Sequence, residues 1–173
     1  ITGGTTLETT APLDHEATES VDVTVQASEP DGNSATETFT IAVNDIDEPP
    51  SAPALSDTTV AENVAEGTEV ATLSATDPEG GAVTFSLTEN PGGLFSLDGS
   101  SLRTDAPVDF ETTPSADITL RATDAAGNFA EAEVTIDVTD VNEGPDGAAL
   151  SSYTVAENVP EGTTVGTLSA TDP

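Results

Sequence analysis

The chain contains no cysteine, no methionine, no tryptophan and no lysine. Without cysteine there is no disulfide to staple a small domain, no thiolate metal site and no cysteine nucleophile. Without lysine, the Lys to Asn or Asp isopeptide crosslinks of some stalk domains cannot form. Positive charge is limited to Arg103 and Arg121, with a single histidine, His15. Against them stand 33 Asp and Glu, giving a formal charge of -31 over 173 residues. A surface this acidic repels nucleic acid and anionic membranes, so neither is expected as a partner. Aromatic residues are 3% of the chain, which leaves each core mainly to aliphatic side chains. No apolar run approaches the roughly 20 residues of a membrane span, and Ile1 opens no signal peptide. The chain is expected to be an internal piece of something longer.

Hydrophobic residues make up 35% and fall in short alternating runs of Val, Leu, Ile and Ala, the mark of a folded acidic chain rather than a disordered one. Sliding the sequence against itself by 95 positions aligns LDHE (13–16) with VDFE (108–111) and QASEPDGN (26–33) with RATDAAGN (121–128). The same shift aligns TVAENVAEGT (59–68) with TVAENVPEGT (154–163), and TLSATDP (72–78) with its copy at 167–173, all without a gap. A period this long, holding several strands, predicts tandem domains instead of a solenoid. The expected division is 1–49 as the last part of one repeat, 50–145 as a complete repeat, and 146–173 as the first part of another.

Within the complete repeat the runs TTVAE, EVATLSAT, AVTFSL, LFSL, SLRT, DITLRAT and EAEVTIDVT are punctuated by Gly, Pro, Asn and Asp. This spacing predicts an all-β, seven-stranded Greek-key sandwich of immunoglobulin-like architecture, with AVTFSL as a central strand. In EAEVTIDVT, Ala132, Val134, Ile136 and Val138 face one way and Glu131, Glu133, Thr135 and Asp137 the other, as in a half-buried strand. Phe39, Phe85, Phe110 and Phe129 are expected in cores. His15 aligns with Phe110 and is expected to pack where an aromatic packs.

Each repeat closes on an acidic stretch ending in proline, NDIDEPP at 44–50 and TDVNEGP at 139–145. Together with AEN near the repeat start, DFE in its middle and ATDAAGN before its last strand, these motifs resemble cadherin repeats in order and spacing. In that family the corresponding elements are a glutamate at the base of the domain, a D-x-E motif, an aspartate at the top and a D-x-N-D-N linker. The resemblance implies a β-sandwich whose junctions with its neighbours each bind up to three Ca²⁺. Carboxylates on an irregular connector suit such a hard cation, which takes six to eight oxygen ligands at ~2.3–2.6 Å.

Carried over position by position, the resemblance implies that the junction near Pro145 uses Glu62, Asp109, Glu111, Asp140, Asn142 and Glu143, with Asp172 from the next repeat. The junction near Pro49 would use Asp14, Glu16, Asp45, Asp47 and Glu48, then Asp77, Glu79 and Asp124. Two departures from the family pattern stand out: Pro49 or Gly144 replaces the second linker Asn, and DPE at 77–79 replaces D-x-D. The richness in Ala, Thr and Gly and the lack of lysine are similar to the cadherin-like repeats of large bacterial surface proteins.

The expected function is therefore a calcium-rigidified extracellular stalk of a repetitive surface adhesin or filament, touching neighbouring repeats and open to homotypic assembly. The alternative is a direct adhesive module, homophilic or carbohydrate-binding. Nothing nucleophilic accompanies His15, and no enzymatic activity is expected.

Overall fold

The computed structural model describes residues 6–172. Among them there is no α-helix, only a 3-10 turn at Pro91–Gly93 and twelve strands. In chain order these are β1 (Ser20–Ser28), β2 (Ser34–Ala42), β3 (Ala54–Leu55), β4 (Thr59–Ala61), β5 (Glu69–Ser74), β6 (Thr84–Glu89), β7 (Phe95–Asp98), β8 (Ser101–Thr104), β9 (Ser115–Thr123), β10 (Phe129–Thr139), β11 (Asp146–Leu150) and β12 (Leu168–Thr171). The fold is all-β. Two compact units are distinguished: one takes the described residues up to Ala52 with 75–84 and 122–130, the other takes 53–74, 85–121 and 131 onward.

In the first unit β1 and β2 form an antiparallel hairpin, paired from Ser20 opposite Ala42 to Ser28 opposite Ser34. The turn residues EPDGN close it: Glu29 N–H donates to the Asn33 carbonyl at 2.8 Å, and Gly32 takes a φ of 95° that a side chain would strain. Val21 faces Ile41 and Val23 faces Phe39 across the hairpin. Val21, Val23 and Ile41 line an open groove of about 410 Å³ together with Leu7, Leu13 and Val43.

The second unit holds a β-sandwich. One sheet has the order β4-β10-β9-β6 and the other β3-β5-β8-β7. Their inner faces meet in a core of Val60, Ile118, Leu120, Ile136 and Val138 from the first sheet and Val70, Leu73, Phe95 and Leu102 from the second. Along β10 exposure alternates as period-two patterning requires, with Ile136 and Val138 buried and Glu131, Glu133, Thr135 and Asp137 outside. Each of the seven runs read from the sequence holds a strand; β3, two residues long, is an eighth that hydrophobic patterning does not reveal.

Two expectations need correction. β6, formed by AVTFSL, stands at the edge of its sheet and not at its centre. Phe85 and Phe110, partly buried, pack against the core as expected, but its fully buried aromatic is Phe95, and Phe39 and Phe129 are about half exposed. His15 is half-buried, as is Phe110, and its Nδ1 lies 3.1 Å from Glu16 Oε1 and 3.9 Å from Asp45 Oδ1. An imidazole between two carboxylates keeps its charge more readily, and the Glu16 hydrogen bond foremost, with Asp45 adding, raises its pKa above the usual histidine value.

β11 and β12 pair antiparallel, with Ala149 opposite Ser169 and Leu150 opposite Leu168. This register reproduces, 95 positions on, that of β3 and β5, where Ala54 faces Ser74 and Leu55 faces Leu73.

Candidate metal centres

Glu62 follows directly on β4 and is 2% exposed. A carboxylate so enclosed needs donors for both oxygens. Backbone amides supply them: Phe110 N–H donates to Oε2 at 2.9 Å and Val141 N–H to Oε1 at 2.7 Å. One side chain thereby ties the end of β4 to the DFE segment and to the linker after β10. Around it, carboxylate oxygens of Glu62, Glu111, Asp140 and Glu143 all lie within 4.8 Å of one another.

The neighbouring groups hold this quartet in place. Asn63, in the left-handed region at φ 58°, aims its side-chain amide at Glu143 Oε1. Glu143 Oε2 is buried without a hydrogen-bond partner. Asp109 stands outside the quartet and serves the turn: Oδ1 accepts the Glu111 N–H at 3.1 Å and Oδ2 the Thr112 hydroxyl. The Thr112 hydroxyl first, then the Glu111 hydrogen bond, hold the Asp109 carboxyl below its usual value. Glu111 moves the other way. Its own backbone N–H lowers it, but desolvation, the bond shared with Asp109 and the charges of Glu62 and Glu143 outweigh that and raise it. Asn142 donates to the Glu143 carbonyl at 3.0 Å, and Asp172 is exposed and outside the quartet.

A second quartet forms in the first unit from Glu16, Asp45, Glu48 and Glu79, whose oxygens also lie within 4.8 Å of one another. Glu48 N–H donates to Glu79 Oε1 at 3.1 Å. The hydrogen bond to Glu79 foremost pushes the Glu48 carboxyl up to about 7, while the Glu48 N–H keeps the Glu79 carboxyl below its usual value. Beside them Asp47 is raised by desolvation and then by the charges of Asp124, Glu79, Asp77 and Asp45. Asp124 is buried; its Oδ1 accepts Gly127 N–H at 2.7 Å and Asn128 N–H at 2.9 Å, and its Oδ2 has no hydrogen-bond partner. Asn128 gives its side-chain amide to Asp47. Asp77 Oδ1 caps a turn through Gly81 N–H at 3.1 Å, and Asp14 Oδ1 caps another through Ala17 N–H at 3.0 Å.

Of the fifteen residues proposed from sequence, eight thus fall into the two quartets, Asp47 and Asp124 stand beside one of them, Asp14, Asp77, Asp109 and Asp172 lie outside, and Asn142 turns its side-chain amide to the carbonyl of the quartet member Glu143. Asn63 and the side chain of Asn128 were not assigned from sequence; both lie within the AEN and ATDAAGN motifs, which is the signal that could have found them. The chemistry of the donor set is that of a hard cation. Oxygens bound to one ion at ~2.3–2.6 Å lie no more than about 5 Å apart, and each quartet meets that limit. The unpartnered buried oxygen of Glu143 belongs to such a quartet, and Asp124, whose Oδ2 is likewise unpartnered, is one of the charges that raise Asp47.

Residues 56–139 match the family model of the cadherin domain. That segment is a cadherin domain. The chain is 38% identical over 175 residues to protocadherin-16 of Rattus norvegicus, an alignment covering 93% of this chain and 5% of that protein. It is 37% identical over 110 residues to protocadherin beta-1 of Homo sapiens, covering 59% of this chain and 13% of that one. Extracellular cadherin domains 1-4 of protocadherin gamma B7 share the fold, with a TM-score of 0.66 at 24% identity over 92% of this chain and 42% of the other. The chain therefore spans a small part of these relatives. Its cadherin domain contributes Glu62, Glu79 and Glu111 to the quartets, while Glu16, Asp45 and Glu48 precede the matched segment and Asp140 and Glu143 follow it.

Proposed function

We propose that this chain is part of a calcium-stiffened extracellular spacer, built of tandem repeats running 1–49, 50–145 and 146–173, with Ca²⁺ held on the acidic segments that join them. The role is structural, not catalytic. The observation that carries this reading is that each quartet draws one or more carboxylates from a proline-bounded linker and others from turns of the fold. Four like charges this close repel one another unless a cation or protons neutralise them. A linker segment bearing them is loose without the ion and fixed with it. The hydrophobic cluster between the sheets needs no ion, because aliphatic side chains and Phe95 fill it.

The composition favours a bacterial surface adhesin or filament as the setting, rich in Ala, Thr and Gly and without lysine; the relatives named above are animal proteins, so this part of the proposal rests on composition alone.

Calorimetric titration with CaCl₂ tests the reading, with an expected Kd of roughly 10⁻⁵ to 10⁻³ M, the strength of extracellular calcium modules, and much weaker binding of Mg²⁺. Circular dichroism and small-angle scattering of the same chain, in chelator and then in millimolar Ca²⁺, separate linker from sandwich. The expected result is an unchanged β signal with a narrower spread of dimensions in Ca²⁺. A β signal that collapses on chelation at unchanged dimensions would show that calcium holds the sandwich itself, and the proposed linker role would be wrong.

A further inference from the structure

The two carboxylate quartets are related by the 95-residue repeat: Glu16, Asp45 and Glu48 stand where Glu111, Asp140 and Glu143 stand one repeat on. What differs is the middle residue of the D-x-E motif. In the complete repeat it is Phe110, which packs against the core, and in the first unit it is His15, the single histidine of the chain. The quartet around Glu62 therefore offers an ion only oxygen, whereas the other has an imidazole nitrogen beside it.

That nitrogen is aimed at the carboxylates. His15 Nδ1 lies 3.1 Å from Glu16 Oε1 and 3.9 Å from Asp45 Oδ1, and ligand atoms of the three residues all fall within 4.8 Å of one another. A tetrahedral ion bound at about 2.0–2.2 Å keeps its ligand atoms roughly 3.3–3.6 Å apart. The separations of 3.1 and 3.9 Å bracket that spacing, so little movement is needed to close on such an ion. Ca²⁺ takes oxygen ligands and gains nothing from the nitrogen. Imidazole suits zinc, copper and nickel. The three side chains share the wall of an open pocket of about 310 Å³ with Glu19, Pro78 and Glu79, which gives an ion access and leaves room for water in its remaining position. All six residues belong to the first unit.

We propose that His15, Glu16 and Asp45 form a site for a divalent transition ion, Zn²⁺ being the representative, with one nitrogen and two carboxylate ligands. In the metal-free chain Nδ1 donates its proton to Glu16 Oε1. The ion takes the place of that proton, which leaves to solvent. Glu16 and Asp45 also belong to the quartet with Glu48 and Glu79, so Zn²⁺ and Ca²⁺ exclude one another there; this exclusion, unlike the site itself, rests on the calcium reading. With Phe110 in the corresponding place, the other quartet remains an oxygen site.

Calorimetric titration of the full chain with ZnCl₂ tests this, in about 0.15 M NaCl to screen diffuse attraction to the acidic surface. Imidazole NMR supplies a readout that carboxylates alone do not move, and with one histidine in the chain its ring signals need no assignment. The wild-type chain should bind one equivalent of Zn²⁺ in its tightest step and shift the ring signals of His15. His15→Phe gives the first unit the DFE that the complete repeat already carries; it should weaken that step by more than the roughly 10-fold that loss of a second-shell partner costs, at unchanged Ca²⁺ affinity. Asp45→Asn should weaken the binding of both ions, and millimolar CaCl₂ should weaken Zn²⁺ binding to the wild type. Zinc affinity that survives either substitution, ring signals unmoved by one equivalent, or a calcium-binding chain whose zinc affinity ignores calcium would each overturn the proposal. A chain that takes Zn²⁺ through His15 but binds no Ca²⁺ would overturn the calcium spacer and leave this site standing.

Discussion

Replacing Glu62 with Gln removes one charge and keeps the shape of the side chain, and its consequences depend on whether calcium is present. Gln has one acceptor oxygen where Glu62 has two, so of the Phe110 and Val141 amides one is left facing an NH₂ group. A hydrogen bond to a charged, buried acceptor contributes about 1.5–3 kcal/mol. For a domain of this size that corresponds to a fall in Tm of roughly 6–24 °C. In chelator the loss is partly offset, because Glu111, Asp140 and Glu143 no longer repel a fourth carboxylate. In saturating Ca²⁺ there is no repulsion to relieve, and the variant also loses binding energy that stabilises the folded state. Thermal unfolding followed by circular dichroism should therefore show a clearly larger fall in Tm in 5–10 mM CaCl₂ than in EGTA. Equal falls in both buffers would mean that Glu62 is a structural anchor with no part in a cation cluster. No fall in either would mean that its two backbone hydrogen bonds contribute nothing, and the reasoning from burial would fail.

Glu48 supplies a pH test: its folded pKa near 7 lies above the unfolded value of 4.5, so the cation-free folded chain binds the proton more tightly and the Glu48 contribution falls as pH rises from about 4.5 to about 7. Carboxyl ¹³C titration in EGTA should place its midpoint near 7, and calcium affinity measured by calorimetry should weaken between pH 7.5 and 5.5 as protons compete. Phe95→Ala, at a position 2% exposed, should cost about 3–5 kcal/mol and lower the urea midpoint accordingly. Asn63→Ala should cost about 1–2 kcal/mol for the left-handed backbone, whereas Asn63→Gly should recover that part in thermal melts; both should weaken Ca²⁺ binding by freeing Glu143.

The strands of the sandwich were legible because alternation in a sequence such as EAEVTIDVT is a direct consequence of the pleat. What alternation does not carry is the order of strands in a sheet, and so the run AVTFSL reads as a central strand although β6 forms an edge. Aromatic placement misled for a related reason. Phe129 begins a strong strand and Phe95 a weak four-residue one, yet the weak strand points its first side chain into the core. At the candidate sites, the motifs named eight carboxylates that converge. They could not tell a quartet member such as Glu111 from a turn-capping neighbour such as Asp109, because both lie in DFE and only the folded backbone sends their oxygens apart. The amides of Asn63 and Asn128 reach partners about 80 residues away, a distance over which local pattern carries no information.

The parallel pairing of β4 with β10 has a mechanical consequence. Thr59, Val60 and Ala61 lie beside Asp137, Val138 and Thr139, bracketed by hydrogen bonds from Asp137 N–H to the Thr58 carbonyl at 2.8 Å and from Glu62 N–H to the Thr139 carbonyl at 3.1 Å. Tension on the chain enters β4 at its N-terminal end and leaves β10 at its C-terminal end. In a parallel pair those ends are opposite, so traction slides one strand along the other and strains all the bonds at once. An antiparallel pair held by adjacent ends would open like a zip, one bond after another. The Glu62 carboxylate, bound to Val141 N–H just beyond β10, lies in the same line of pull. β4 and β10 thus form a clasp that resists extension by simultaneous rupture.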